Sequence, residues 1–311
     1  MEYRQLGTTG IGVSVIGVGC WAMGGRSWGP VDDRESVAAI HRALDLGVNL
    51  FDTAPVYGFG HSETLLGRTL GSARRDVIIA TKVGLVWDDA AKISNNLLPD
   101  HIRSEVEGSL RRLATDYIDL YQIHWPDPKV PIEASVRVLE ALKAEGKVRA
   151  IGCSNFDVPL LEASRAGGRL ESLQPHYSLL ERDTERELLP YCEREKLGVL
   201  VYGPLAKGLL TGKFRRDSSF PPDDMRLRDK RFQGEAWPEN LARVERLRSL
   251  AHDLGLTPAQ LALAWVLRTP VVTAALCGTK RPSQIEENAS AAGVKLGADE
   301  IAALSEIFPP A

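Results

Sequence analysis

Short apolar runs alternate with longer amphipathic stretches along almost the whole chain, and this alternation restricts the fold more than any other feature. Strands are expected at 15–18, 48–51, 77–81, 118–123, 150–152, 172–174, 198–201 and 274–277. Helices are expected at 33–46, 62–70, 100–113, 131–144, 157–166, 184–196, 258–268 and 282–292, with start signals at Asp32, Ser62 and Pro99-Asp100. Strands that alternate with helices imply a parallel sheet. Eight such units favour closure into a (β/α)8 TIM barrel over an open doubly wound sheet. Residues 3–6 and 12–13, turning at Thr8-Thr9-Gly10, predict an N-terminal β-hairpin. Residues 239–254 and 298–307 read as extra C-terminal helices, and 203–238 as a long functional loop without regular structure. No linker or second domain breaks the pattern, so 1–311 reads as a single domain.

Composition adds exclusions. With 44 % apolar and 25 % charged residues, the chain is ordinary for a globular enzyme. A net charge of −3 gives no pull toward nucleic acid or an anionic membrane. No apolar run reaches the roughly 18 residues of a transmembrane helix. The opening Met1-Glu2-Tyr3-Arg4-Gln5 lacks the pattern of a signal peptide. Cys20, Cys153, Cys192 and Cys277 are far apart, without metal-site spacing, and read as free thiols of a reducing cytoplasm.

In a barrel of parallel strands the C-terminal strand ends gather on one face, where chemistry is done. Three consecutive strand candidates run into ionisable residues: Asp52, Lys82 and His124. Tyr57 follows Asp52 in the next loop. A free phenol has a pKa of about 10, so Tyr57 is a protonated donor at neutral pH. A nearby ammonium lowers that value toward a useful range. Lys82 can supply the charge, Asp52 can hold Lys82, and His124 can orient a carbonyl oxygen. Each residue alone has a plainer reading: a packing tyrosine, a capping aspartate, a solvated lysine, a histidine bonded to backbone. Their arrival at successive strand ends favours proton transfer to an oxygen that becomes an alkoxide. A zinc hydrolase built on Asp52, His124 and His61 or His176 is a rival. Lys82 at its centre would repel a cation and no His-x-His pair is present, so no metal is expected.

The later strands end differently. Gly152-Cys153-Ser154-Asn155 and Gln174 offer neutral groups suited to an amide, and Tyr202 offers a face for a flat ring. The loops after the seventh and eighth strands, with a helix start, make the usual phosphate site of such a barrel. There Gly278-Thr279-Lys280-Arg281 brings two cations that would favour a 2′-phosphate. Gly17-Val18-Gly19 only hints at a dinucleotide turn, since the third glycine is misplaced and no helix starts there.

The runs Gly47–Gly58, Thr81-Lys82, Gln122-Ile123-His124, Gly152–Asn155, Gln174–Ser178, Tyr202–Leu205, Gly208–Lys213 and Gly278–Asn288 together resemble the aldo-keto reductase family over nearly the whole chain. The runs 28–33 and 177–182 are most similar to its bacterial branch of general-stress and inositol-operon reductases. The resemblance implies extended NADPH on the barrel and hydride transfer to an aldehyde or ketone. Tyr57 would be the general acid, tuned by Asp52 and Lys82, with His124 orienting the carbonyl. Ser154, Asn155 and Gln174 would hold the carboxamide, and Tyr202 would stack on the nicotinamide. Leu205, Gly208 and Lys213 would lie along the pyrophosphate and ribose. Lys280 and Arg281 would meet the 2′-phosphate, with Gln284 and Asn288 at the adenine end. The resemblance also implies a monomer. Trp21, Met23, Trp87 and Trp125, just beyond strand ends, are candidates for a pocket that takes small carbonyl substrates. The chain stops soon after its tail helix, without the aromatic substrate loop of steroid-type members. A cofactor-bound sensor or scaffold is the other reading; four filled catalytic positions favour the enzyme.

Overall fold

The computed structural model describes residues 1–310. A hairpin of β1 (Tyr3–Gln5) and β2 (Gly12–Ser14) leads into β3 (Ile16–Gly19). The chain then runs through α1 (Asp33–Asp45), β4 (Leu50–Asp52), α2 (His61–Leu70) and β5 (Ile78–Val83). A second hairpin, β6 (Leu85–Trp87) and β7 (Ile93–Asn95), precedes α3 (Pro99–Leu113). Next come β8 (Ile118–Ile123), α4 (Ile132–Ala144), β9 (Val148–Ser154), α5 (Val158–Ser164), β10 (Ser172–Gln174), α6 (Leu188–Glu195) and β11 (Gly198–Tyr202). The chain closes with α7 (Ala236–Asp253), α8 (Pro258–Leu267), β12 (Val272–Gly278), α9 (Pro282–Ala289) and α10 (Ala298–Ile307). Eight parallel strands form a closed barrel in the order β10-β11-β12-β3-β4-β5-β8-β9. The expected (β/α)8 TIM barrel, hairpin and extra C-terminal helices are therefore present.

The two-residue period of a strand divides the core. Leu50, Ala80, Leu120, Ala150, Leu200 and Ala274 form an inner cluster, plugged at the bottom by Leu6, Ile11 and Val13 of the N-terminal hairpin. Their odd-numbered neighbours Phe51, Ile79, Tyr121, Ile151, Val199 and Val201 pack outward in the larger strand–helix core. Asp52, Lys82, Gln122, Ser154, Gln174 and Tyr202 share the even parity, so the same alternation turns them inward at the top. Below, buried Asp119 receives Arg74 at 2.8 Å and Arg149 at 2.7 Å.

Several expectations need correction. The segment 203–238 holds 3-10 turns at Ala206–Thr211, Met225–Arg228 and Lys230–Phe232. Asp224 and Asp229 cap the last two, and Phe214, Phe220, Phe232 and Trp237 pack together above them. Glycine and charge content hid this ordering, because the aromatic contacts follow no helix or strand period. The β6–β7 hairpin was not expected from the sequence; its strands are three residues each and lie largely outside the core. Ser62 is no cap: α2 starts at His61, and the Ser62 hydroxyl donates to the Cys20 carbonyl. The stretch 184–196 divides into a 3-10 turn at Asp183–Glu185 and α6. Among the described residues no helix is long and apolar enough to cross a membrane.

Candidate active site

Asp52 ends β4, Lys82 lies near the end of β5, and His124 follows β8 directly. Lys82 Nζ donates to Asp52 Oδ1 at 2.6 Å, to the Thr53 carbonyl at 2.9 Å and to the Tyr57 hydroxyl oxygen at 3.3 Å. An ammonium can only donate, so the Tyr57 oxygen accepts and its own hydrogen stays available. Asp52 Oδ2 accepts from Gln174 Nε2 at 2.8 Å and Gln122 Nε2 at 3.4 Å. The His124 ring stands edge-on to Tyr57, 5.7 Å between centres. Its backbone is fixed on both sides, by His124 N–H to the Val83 carbonyl and by Asn155 Nδ2 to the His124 carbonyl.

Burial sets the protonation states. It pushes Tyr57 up to about 12, although Lys82 pulls the other way. The expected lowering by Lys82 is therefore a partial offset, and the phenol is fully protonated at neutral pH. Burial alone would lower Lys82, but Asp52 and Tyr57 hold it above the usual value, so it is a cation. Burial, then Lys82, holds His124 well below its usual value, so the imidazole is neutral. A cation, a protonated phenol and a neutral imidazole face one spot, which suits delivery of a proton to a carbonyl oxygen.

The other half of the upper face has the features expected for a dinucleotide. Gln174 spends both amide hydrogens on Asp52 and Gln122, which leaves its oxygen as the atom able to meet an amide N–H. Ser154 Oγ donates to the Gln174 carbonyl. Asn155, at φ 62°, accepts from the Tyr202 hydroxyl at 2.8 Å. The Tyr202 ring is stacked on His176, 4.9 Å between centres and 7° between planes. Leu205 is half-buried against the core. A Cβ on Gly208 would lie 3.1 Å from Lys213 Nζ. Burial lowers the Lys213 pKa, and Arg226, Arg281 and Lys280 add to that lowering. Buried Asp224 pairs with Arg226 and offsets part of the repulsion among these four cations, and a further anion would relieve more of it. Lys280 Nζ is itself bound by the carbonyls of Trp28 and Pro30, and its backbone N–H by Gln284 Oε1. Gly278 is exposed, while Thr279 and Asn288 are buried beside it. These residues fit a phosphate-bearing nicotinamide cofactor. Arg226 and Gln122 were missed among the site residues. Inward parity could have found Gln122; nothing local marks Arg226.

Of the pocket candidates, Trp21 stacks on Tyr57 at 5.9 Å and Trp87 stacks on Phe59 at 4.8 Å. Trp125 is 45 % exposed. Met23 is 1 % exposed and packs into the core. The rival zinc set is not assembled, since His61 bonds to Asp33 and His176 faces Tyr202.

The family model described as the aldo/keto reductase family matches residues 15–308. The chain is 44 % identical over 308 residues to the aldo-keto reductase YhdN of Bacillus subtilis (strain 168), covering 96 % of this chain and 91 % of that one. It is 39 % identical over 311 residues to the NADH-specific methylglyoxal reductase of Escherichia coli (strain K12), with 95 % of each covered. Among solved structures, the glycerol dehydrogenase AKR11B4 from Gluconobacter oxydans superposes with a TM-score of 0.92 at 42 % identity, covering 98 % of this chain and 94 % of that one. An aldo/keto reductase from Klebsiella pneumoniae in complex with NADP and acetate superposes at 0.78 and 31 %, covering 100 % and 97 %. With this match over nearly its whole length, the chain belongs to the aldo/keto reductase family of oxidoreductases.

Proposed function

We propose that the protein reduces an aldehyde or ketone to an alcohol with NADPH, and that Tyr57 is the general acid. The observation that carries this reading is the contact of Lys82 Nζ with the Tyr57 oxygen, beside a neutral His124. When bound, the dihydronicotinamide supplies a hydride to the carbonyl carbon. Ser154, Asn155 and Gln174 would hold its carboxamide end, and the Tyr202 ring would stack on the nicotinamide. Lys213, Lys280 and Arg281 would hold the phosphates, with Leu205 and Gly208 along the pyrophosphate and ribose and Gln284 and Asn288 toward the adenine end. His124 donates to the substrate carbonyl oxygen and fixes its direction. Tyr57 gives its proton to that oxygen as negative charge develops there. Lys82 then stabilises the phenolate left behind, and Asp52 keeps Lys82 charged and in place. The aromatic side chains Trp21, Trp87 and Trp125 suit a small organic substrate.

The test is NADPH oxidation against a panel of aldehydes, wild type beside Tyr57→Phe. Wild type should turn over, and the variant should bind NADPH with unchanged affinity while losing turnover by about 10²-fold or more, the scale of general acid catalysis. Loss of cofactor binding with turnover per bound cofactor intact would show that Tyr57 belongs to the cofactor site instead.

A further inference from the structure

The loop after β3 crosses the Tyr57 loop at contact distance. A Cβ on Gly24 would lie 2.7 Å from both the Gly58 nitrogen and the Tyr57 carbonyl carbon. Two residues on, the Arg26 guanidinium lies 4.4 Å from the centre of the Phe59 ring. Phe59, two residues after Tyr57, also stacks on Trp87. Arg26, itself exposed, therefore rests on the Phe59–Trp87 pair, and Phe59 belongs to the loop that follows the general acid. Past Arg26 the loop is pinned again. The Ser27 carbonyl accepts from the Met225 N–H, the Trp28 and Pro30 carbonyls accept from Lys280, and the Trp28 ring packs edge-on to Trp21. The backbone is thus anchored on both sides of Arg26.

Its charge has no counter-ion. Among the described residues Arg26 makes no ion pair or side-chain hydrogen bond, and its guanidinium lies over the Phe59 ring. Several carboxylates on neighbouring segments have other partners. Asp32 pairs with Arg34, Asp33 bonds to His61, and Asp88 accepts from the Lys92 N–H. Asp127 accepts from the Leu97 and Lys129 N–H groups. A ring contact occupies the face of a guanidinium and leaves the N–H donors at its edge free. Those donors match a carboxylate or phosphate two at a time.

We propose that Arg26 makes the pocket selective for carbonyl substrates that carry an anionic group, a carboxylate or phosphate ester, a few bonds from the reacting carbon. This rests on the reductase reading above and names its substrate class. The anion sits on the Arg26 edge while the carbonyl reaches Tyr57 and His124, so the charge pair acts on binding and not on the chemical step.

The experiment measures kcat and KM for two matched pairs, succinic semialdehyde against butanal and 4-carboxybenzaldehyde against benzaldehyde. It uses wild type, Arg26→Ala, Arg26→Lys and Arg26→Glu. Wild type should favour an anionic member through KM. Arg26→Ala should raise that KM about tenfold, the size of one charge-assisted hydrogen bond, and leave the neutral partner unchanged. Arg26→Lys should keep part of the preference, Arg26→Glu should reverse it, and added salt should erode it in wild type and Arg26→Lys but not act on Arg26→Ala. No anionic preference in wild type, or a preference that survives Arg26→Ala, overturns the proposal. So does an equal loss on both members of a pair, which assigns Arg26 to the fold. No reduction of any of the four aldehydes by wild type overturns the underlying reductase reading, and the proposal with it.

Discussion

At the scale of single residues, the site depends on which hydrogen each group has left to give. Lys82 donates to Asp52, Thr53 and Tyr57, so the phenol is an acceptor toward the lysine and keeps its own hydrogen to give. Arg281 is exposed at the start of α9, beside Lys213 and Lys280. If it meets the 2′-phosphate, Arg281→Ala should weaken NADPH binding about tenfold and NADH binding hardly at all. Fluorescence titration with both cofactors checks this, and equal loss for both would remove Arg281 from the phosphate site. The question is sharp because the Escherichia coli relative is named NADH-specific while the Klebsiella neighbour holds NADP.

At the scale of elements, the Tyr57 loop and the loop after β3 hold each other. Gly58 has φ 64°, and a Cβ there would lie 2.3 Å from the Gly24 oxygen, which is backbone and cannot swing away. Gly58→Ala should therefore cost about 2 kcal/mol or more from strain and overlap together. That corresponds to a fall in Tm of roughly 3 °C or more, with slower turnover because Tyr57 adjoins the clash. Gly146, at φ 77° with open space around the missing Cβ, is the control. Gly146→Ala has strain without overlap and should cost only about 1 kcal/mol. Equal effects in thermal unfolding would mean that the loop crossing is not tightly packed.

At the scale of the whole molecule, buried neutral histidines couple stability to pH. Burial holds His124 well below its usual value. Burial, with Arg231 and Lys207, lowers His176 to about 4. Below the ordinary histidine pKa the unfolded chain takes up protons that the native state refuses, so stability falls as pH falls from about 6.5 toward 4. Half-buried Glu181, raised by its burial, acts in the opposite direction near the lower end of that window. Tm should drop between pH 7 and pH 5, and His176→Phe should flatten the slope while keeping a ring beside Tyr202. A Tm that is level or rising over that range would contradict the neutral assignment of both imidazoles.

The sequence by itself determined the barrel and the ring of polar strand ends, because both follow from short-range periods. Alternating strands and helices dictate closure, and the two-residue period that buries Leu50, Ala80 and Leu120 also turns Asp52, Lys82 and Gln122 inward. Tyr57 and His124 were legible from their place just beyond those strands. The tertiary structure alone decided the rest. It set the balance of burial against charge that keeps the Tyr57 proton on, since desolvation depends on every layer packed around the ring. It also sent Met23 into the core and ordered the loop that brings Arg226 to Lys213. Those outcomes come from contacts between segments far apart in the chain, which no local pattern encodes.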